Sequence, residues 1–155
     1  MANVFYRKAS AQDVSFLAEI RGAQSGQVTA WKSRILEYLA GTHHPQQALG
    51  QRIIYVACID ENIIGFVAGH LTRRFHCDGE LQWIDVVAEY RRRGVASELV
   101  RLLVDWFVQQ KSFKICVDPG NKAARNFYRH LGAESFNDRW MYWKDIRGMS
   151  RPIQE

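Results

Sequence analysis

The residues at 86–97 read Val-Val-Ala-Glu-Tyr-Arg-Arg-Arg-Gly-Val-Ala-Ser, and no other stretch limits the fold as much. An apolar run ends there, a short basic loop follows, and a helix opens at the glycine. Val95, Leu99, Leu102, Leu103, Trp106 and Phe107 then recur at the spacing of an amphipathic helix that faces a sheet. The first N–H groups of any helix lack partners within it and sit at the positive end of its dipole. An anion is stabilised there by both effects. Gly94 and Ala96 are small enough to let a phosphate approach the backbone, and Arg91, Arg92 and Arg93 add charge beside it. The segment has the design of a pyrophosphate cradle. It lacks the Lys-Ser/Thr pair of a nucleotide-hydrolysing loop and the three spaced glycines of a dinucleotide fold.

The flanking sequence supplies the rest of the architecture. Residues 4–7 read as a short strand. Ser10 is placed to cap a helix carrying Asp13, Val14, Leu17, Ala18 and Arg21, which breaks at 24–27. A second helix is expected over 30–40, with Trp31, Ile35, Leu36 and Leu39 on one side. Residues 41–50 form a loop holding His43, His44 and Pro45. The apolar runs 53–59 and 63–69, joined by Asp60-Glu61-Asn62, signal a hairpin. A further strand covers 80–87, and a short one 113–117 follows the amphipathic helix. Asn121 caps a helix that runs to Leu131 and stops at Gly132. The segments 133–136 and 139–143 make a last strand pair. The order β-α-α-β-β-β-α-β-α-β-β contains one strand–helix–strand crossover among hairpins. That predicts a mixed sheet with helices on both faces.

At 155 residues the chain suits one domain, 1–155, and its 24% charged content argues against disorder. No stretch approaches the roughly 20 apolar residues of a membrane span. The N-terminus has no signal-peptide plan, so a cytoplasmic protein without membrane association is expected. Cys58, Cys77 and Cys116 fit neither a disulfide framework nor a zinc knuckle and are read as buried thiols. His43, His44, His70, His76 and His130 make no metal-ligand spacing with them, so no metal is expected.

Arg91-Arg92-Arg93-Gly94-Val95-Ala96 resembles the Arg/Gln-x-x-Gly-x-Gly/Ala motif of the GNAT superfamily of N-acetyltransferases. Residues 121–133, Asn-Lys-Ala-Ala-Arg-Asn-Phe-Tyr-Arg-His-Leu-Gly-Ala, resemble that family's Asn-x-x-Ala-x-x-Phe-Tyr-x-x-x-Gly-Phe element, with Ala133 at the last aromatic position. The element order of the whole chain also matches. The resemblance implies a GNAT fold, an α/β (mixed α+β) domain whose six- or seven-stranded sheet is mostly antiparallel. It implies an acyltransferase that moves an acetyl group from acetyl-CoA to a primary amine in a ternary complex.

The resemblance also suggests roles. Acyl transfer to an amine needs a base, because a free alkyl ammonium has a pKa near ~10.4. It also needs donors for the thioester oxygen and a proton for the departing thiolate. Glu80 is the candidate base, against a solvated carboxylate beside Asp78; Asp85 is the alternative, against a salt bridge to an arginine. Tyr128 is the candidate acid, against core packing with Phe127 and Leu131. Backbone donors near Val86 and Val87 would hold the pantetheine arm where a bulge or splay exposes them. The cradle extends from Arg91 through Arg92, Arg93, Gly94, Val95 and Ala96 to Ser97. Asn121 caps its helix and is a candidate cofactor contact. Arg125 either reaches a phosphate or covers a solvated helix face.

Trp31, Trp83 and Tyr38 are candidates for the acceptor pocket, against core packing. A small-molecule amine is the expected acceptor. A protein N-terminus or lysine stands as the alternative, and a non-catalytic acyl-CoA-binding module or a nucleic-acid-binding module ranks below. A homodimer is compatible with the resemblance. The acceptor's identity, the acyl-chain preference and the pathway leave no trace in the sequence.

Overall fold

The computed structural model describes residues 3–42 and 45–150. His43 and His44 lie outside the described residues. Seven strands form one sheet: β1 (Phe5–Lys8), β2 (Ala48–Ile59), β3 (Asn62–Thr72), β4 (Gly79–Val86), β5 (Ile115–Val117), β6 (Glu134–Ser135) and β7 (Met141–Trp143). The helices are α1 (Val14–Ser25), α2 (Val28–Ala40), α3 (Val95–Gln109) and α4 (Lys122–His130). The spatial order is β1-β2-β3-β4-β5-β7-β6, and only β4 and β5 run parallel. The element order and the mixed, mostly antiparallel sheet agree with the sequence-based expectation. Among the described residues no helix is long and apolar enough to cross a membrane.

Two apolar layers cover the two faces of the sheet. Val14, Leu17 and Ala18 of α1 and Ile35 and Tyr38 of α2 pack on Val56, Phe66 and Trp83. On the other face, Leu99, Leu103 and Phe107 of α3 pack on Val67, Leu81 and Ile115, together with Tyr128 of α4. Side chains alternate between faces along a strand, and register shifts break that alternation, so Leu81 and Trp83 of β4 lie in opposite layers. Gly69 belongs to this contact: a Cβ there would lie 2.7 Å from Leu103 Cδ1. Arg7 of β1 grips Asp13 through two hydrogen bonds of 2.8 and 2.9 Å and so ties the first strand to the start of α1. All three cysteines are buried free thiols.

Element ends differ from expectation where side chains intervene. The strand expected over 113–117 begins only at Ile115, because the N–H groups of Phe113 and Lys114 both donate to Asp78 Oδ2 at 3.0 Å. Strand β2 starts at Ala48, five residues before the apolar run. Its polar first half meets β3 through a register shift between Ala48 and Arg52. A 3-10 turn over Ala11–Asp13 precedes α1, and Ser10 N–H donates to Asp13 Oδ2 at 2.8 Å there.

Candidate active site

The sheet parts in its middle. β4 pairs with β5 only through Gly79, Glu80 and Leu81, whereas its pairing with β3 continues to Val86. After Val117, Asp118-Pro119-Gly120 carries the chain away toward α4. A cavity of about 810 Å³ fills the opening, with Leu81 to Val86 along one wall and Asn121, Ala124 and Tyr128 along the other.

A β-bulge orients the open edge. Ala68 faces Trp83 while Gly69 faces Leu81, so Gln82 has no partner on β3. Val87 N–H donates to Ile64 at 2.8 Å, which makes Val86 and Gly65 a non-hydrogen-bonded pair. The N–H and C=O of Val86 therefore point away from β3 into the opening, where Arg91 Nε donates to the Val86 carbonyl at 2.9 Å. Of the two expected backbone donors, Val86 faces the gap and Val87 does not: the Val87 N–H is committed to β3. Gln82 also lines the cavity, and its buried Oε1 has no hydrogen-bond partner among the described residues.

The cradle closes the far end. Arg92 and Gly94 take left-handed conformations, with φ of 64° and 81°. The first helical bond of α3 runs from Glu98 N–H to Gly94 O at 3.1 Å, so the N–H groups of Val95, Ala96 and Ser97 have no partner within the helix. A Cβ on Gly94 would meet nothing within 4 Å. The requirement for glycine is thus conformational, and the space before the helix is open. Val95 is buried, Ala96 lines the cavity, and Arg92, Arg93 and Ser97 are exposed. The Arg93 guanidinium lies 5.4 Å from the Tyr90 ring.

Glu80 is buried at the base of the opening and lines the cavity. Arg74 Nε donates to its Oε1 at 3.0 Å, and His70 Nε2 lies 3.7 Å away. Behind His70, its Nδ1 shares a hydrogen bond of 2.8 Å with the Tyr38 hydroxyl. Burial pushes the Glu80 carboxyl up to about 7 despite the opposing charge of Arg74. Glu80 is therefore no solvated strand-start carboxylate. Asp85 is tied to Arg21 at 2.8 Å, and burial raises its carboxyl against that partner. Tyr128 is buried, its ring stands edge-on to Trp143 at 5.8 Å, and burial raises its phenol. It both packs in the core and lines the cavity.

Asn121 caps α4, accepting from Ala124 N–H at 2.8 Å, and also lines the cavity. Arg125 is half-buried and lines a second, smaller opening with Asp118 and Asn121. Its guanidinium donates to Ser135 Oγ and to the carbonyls of Asp138 and Arg139, at 3.3, 3.2 and 3.0 Å. Those acceptors engage it with the β6–β7 hairpin. Trp31 and Trp83 meet edge to face at 5.7 Å and both line the cavity, whereas Tyr38 is wholly buried.

Four residues at the site carry no role in the sequence reading above: Arg21, Arg34, Arg74 and Gln82. Only Gln82 had a usable signal. In Glu-Leu-Gln-Trp-Ile-Asp-Val the polar positions change parity between Gln82 and Asp85, as a bulge requires. The arginines come together only through the fold. Among the described residues no three His, Cys, Asp or Glu side chains gather in a way that would hold a metal ion.

No curated protein matches the chain significantly in sequence. Solved structures do match in fold. The PaiA N-acetyltransferase from Thermoplasma acidophilum, solved in complex with coenzyme A, superposes with a TM-score of 0.70 at 16% identity, covering 92% of this chain and 99% of that one. Ard1 from Thermoplasma volcanium gives 0.69 at 18% identity, covering 90% and 96%. Aminoglycoside N-acetyltransferase AAC(6')-Iy in complex with CoA gives 0.72 at 18% identity, covering 88% and 91%. The sequence model described as the acetyltransferase (GNAT) family matches residues 19–133, a span that holds the parted strands, the cradle and every strand of the sheet except β1, β6 and β7. With that match, the chain belongs to the acetyltransferase (GNAT) family and is an acyltransferase.

Proposed function

We propose that this chain transfers an acetyl group from acetyl-CoA to the primary amine of a small acceptor, by direct attack while both are bound. One observation carries the reading: the parting of β4 from β5 opens a main-chain edge that runs from the buried Glu80 carboxylate to the N-terminus of α3.

The residues at hand fit coenzyme A. The three free N–H groups of α3, with Arg91, Arg92 and Arg93, would hold its pyrophosphate. The outward Val86 N–H would hold the pantetheine arm as an added strand is held. Gln82 Oε1 lacks a donor at the same edge, and a ligand amide would supply one. Bound acetyl-CoA supplies the acyl group as an activated thioester.

Every proton movement falls to the chain. Glu80, held near neutrality by burial, is ionised above about pH 7 and accepts the proton of the acceptor ammonium. Burial keeps Tyr38 protonated, and its hydroxyl shares the hydrogen bond with His70 Nδ1 while Nε2 lies toward Glu80. In the tautomer with the Tyr38 hydroxyl donating to Nδ1, the Nε2–H would favour the ionised Glu80 carboxylate. Asp85 holds Arg21 and is the weaker candidate for base. Tyr128, kept protonated by burial, is the proton source for the departing thiolate.

Calorimetric titration with acetyl-CoA, beside Arg93→Glu and Gly94→Trp, tests the donor half. Saturable binding weakened by both variants supports the reading; no binding by folded wild-type protein refutes it. Thiol release that survives Glu80→Gln combined with Tyr128→Phe would overturn the two assigned roles.

A further inference from the structure

The acceptor end of the cavity carries more positive charge than its acids neutralise. Arg21 of α1 and Arg34 of α2 both bring their guanidinium carbons to the Trp31 ring, at 4.7 and 4.9 Å. Arg21 gives one nitrogen to Asp85, but its buried Nε has no acceptor among the described residues. Arg74 is matched to Glu80. Arg34 is exposed, lines the same cavity and has no acidic partner among the described residues. Two like charges drawn to one ring, with the buried Arg21 Nε left without an acceptor and Arg34 without an acid among the described residues, form an arrangement that a bound anion would relieve.

From this we infer that the acceptor is a small amine that also carries an anionic group, its ammonium directed to Glu80 and its carboxylate or phosphate to Arg34 and Arg21 beside Trp31. The inference rests on the acetyltransferase reading of the site and narrows it. Glu80 and Asp85 attract the ammonium, and the guanidinium groups attract the other end. A guanidinium suits either anion, because its fork presents parallel donors to two oxygens. A polycation meets the opposite situation, since its further amines meet Arg21, Arg34 and Arg74, whose charge Glu80 and Asp85 offset only in part. The aminoglycoside acceptor named for one structural neighbour therefore does not suit this cavity.

The test uses pairs of amines that differ only in the anion. Glycine, β-alanine and 4-aminobutyrate are compared with their carboxamides, and phosphoethanolamine with ethanolamine; spermidine and kanamycin serve as polycations. Two readouts are taken on the full chain with acetyl-CoA: initial rates of thiol release, and the thermal shift that each amine adds to the coenzyme A-bound protein. The expected result is that at least one anionic amine has a KM about tenfold or more below that of its neutral twin. Arg34→Gln should abolish that preference with kcat little changed, and Arg34→Lys should restore part of it. Since Arg34 is exposed, the variants should keep the wild-type melting temperature in the absence of ligand. Whether carboxylates or the phosphate win identifies the anion.

Neutral or polycationic amines that match or surpass the anionic ones overturn the inference. So does a preference that survives Arg34→Gln, or a protein that binds acetyl-CoA yet responds to no anionic amine in either readout; in all three cases the donor half of the reading stands. Failure to bind acetyl-CoA removes the function reading, and this inference with it.

Discussion

Glu80 connects stability to the proposed chemistry in a single side chain. Its carboxyl is raised from 4.5 to about 7 in the folded protein. The folded chain therefore holds a proton that the unfolded chain has released between those values, and stability falls as pH rises from about 4.5 to about 7. The loss is on the order of 3 kcal/mol. Glu80→Gln should flatten that decline, seen as a melting temperature above wild type at pH 8 and close to it at pH 4.5. The same variant should lower kcat/KM by about 10²-fold or more and erase the inflection near pH 7 in its pH profile. Tyr128→Phe should lower kcat about 10- to 100-fold while leaving the melting temperature nearly unchanged, since the ring still packs on Trp143. Glu80 was singled out by the family resemblance together with its place ahead of the cradle, but its burial was not readable. That Arg74, His70 and Tyr38 surround it was not readable either, because those contacts join residues from α2, β3 and a 3-10 turn over Arg74–His76.

At the scale of elements, α3 was legible from its start at the glycine, because apolar side chains repeat at helical spacing; Val100 and Val104 complete the buried face, and Leu102 is only half-buried. β2 was legible only in its apolar second half, and β5 lost its first two expected residues to the Asp78 carboxylate. Periodicity reports burial; it does not report a side chain that takes over a backbone donor. The cradle and α4 give two contrasting predictions. Gly94→Ala must hold a side chain at a φ of 81°, at a cost of about 1–2 kcal/mol, but meets no neighbour. The variant should fold, and calorimetry should show acetyl-CoA binding weakened. Arg125→Ala removes three hydrogen bonds to the β6–β7 hairpin. It should lower the melting temperature by several degrees and leave the acetyl-CoA dissociation constant as it was, the reverse of what a phosphate ligand would do.

For the whole molecule, the formal charge of +5 was visible at once and its meaning was not. Arg91, Arg92 and Arg93 are contiguous and mark their site in the sequence, whereas Arg21, Arg34 and Arg74 reach one cavity from three distant segments. Acetyl-CoA affinity should fall as salt rises, and the fall should be shallower in Arg93→Glu, measurable by titration at two ionic strengths. Relatives at 16–18% identity retain this fold, which sets the fold apart from the side chains that tune it. The opened edge of β4 has a bearing on how such a site tolerates drift. Its donor belongs to the main chain, and every residue except proline supplies the same N–H. Scanning substitutions along β4 would register lost packing and overlook the contact itself. At Val86, where the N–H faces the gap and not β3, proline would delete that one donor without removing a ladder bond. A contact of that kind, unlike those assigned to Glu80 and the arginines, would be nearly silent to ordinary genetics, since the side chain at 86 can change while the N–H stays in place.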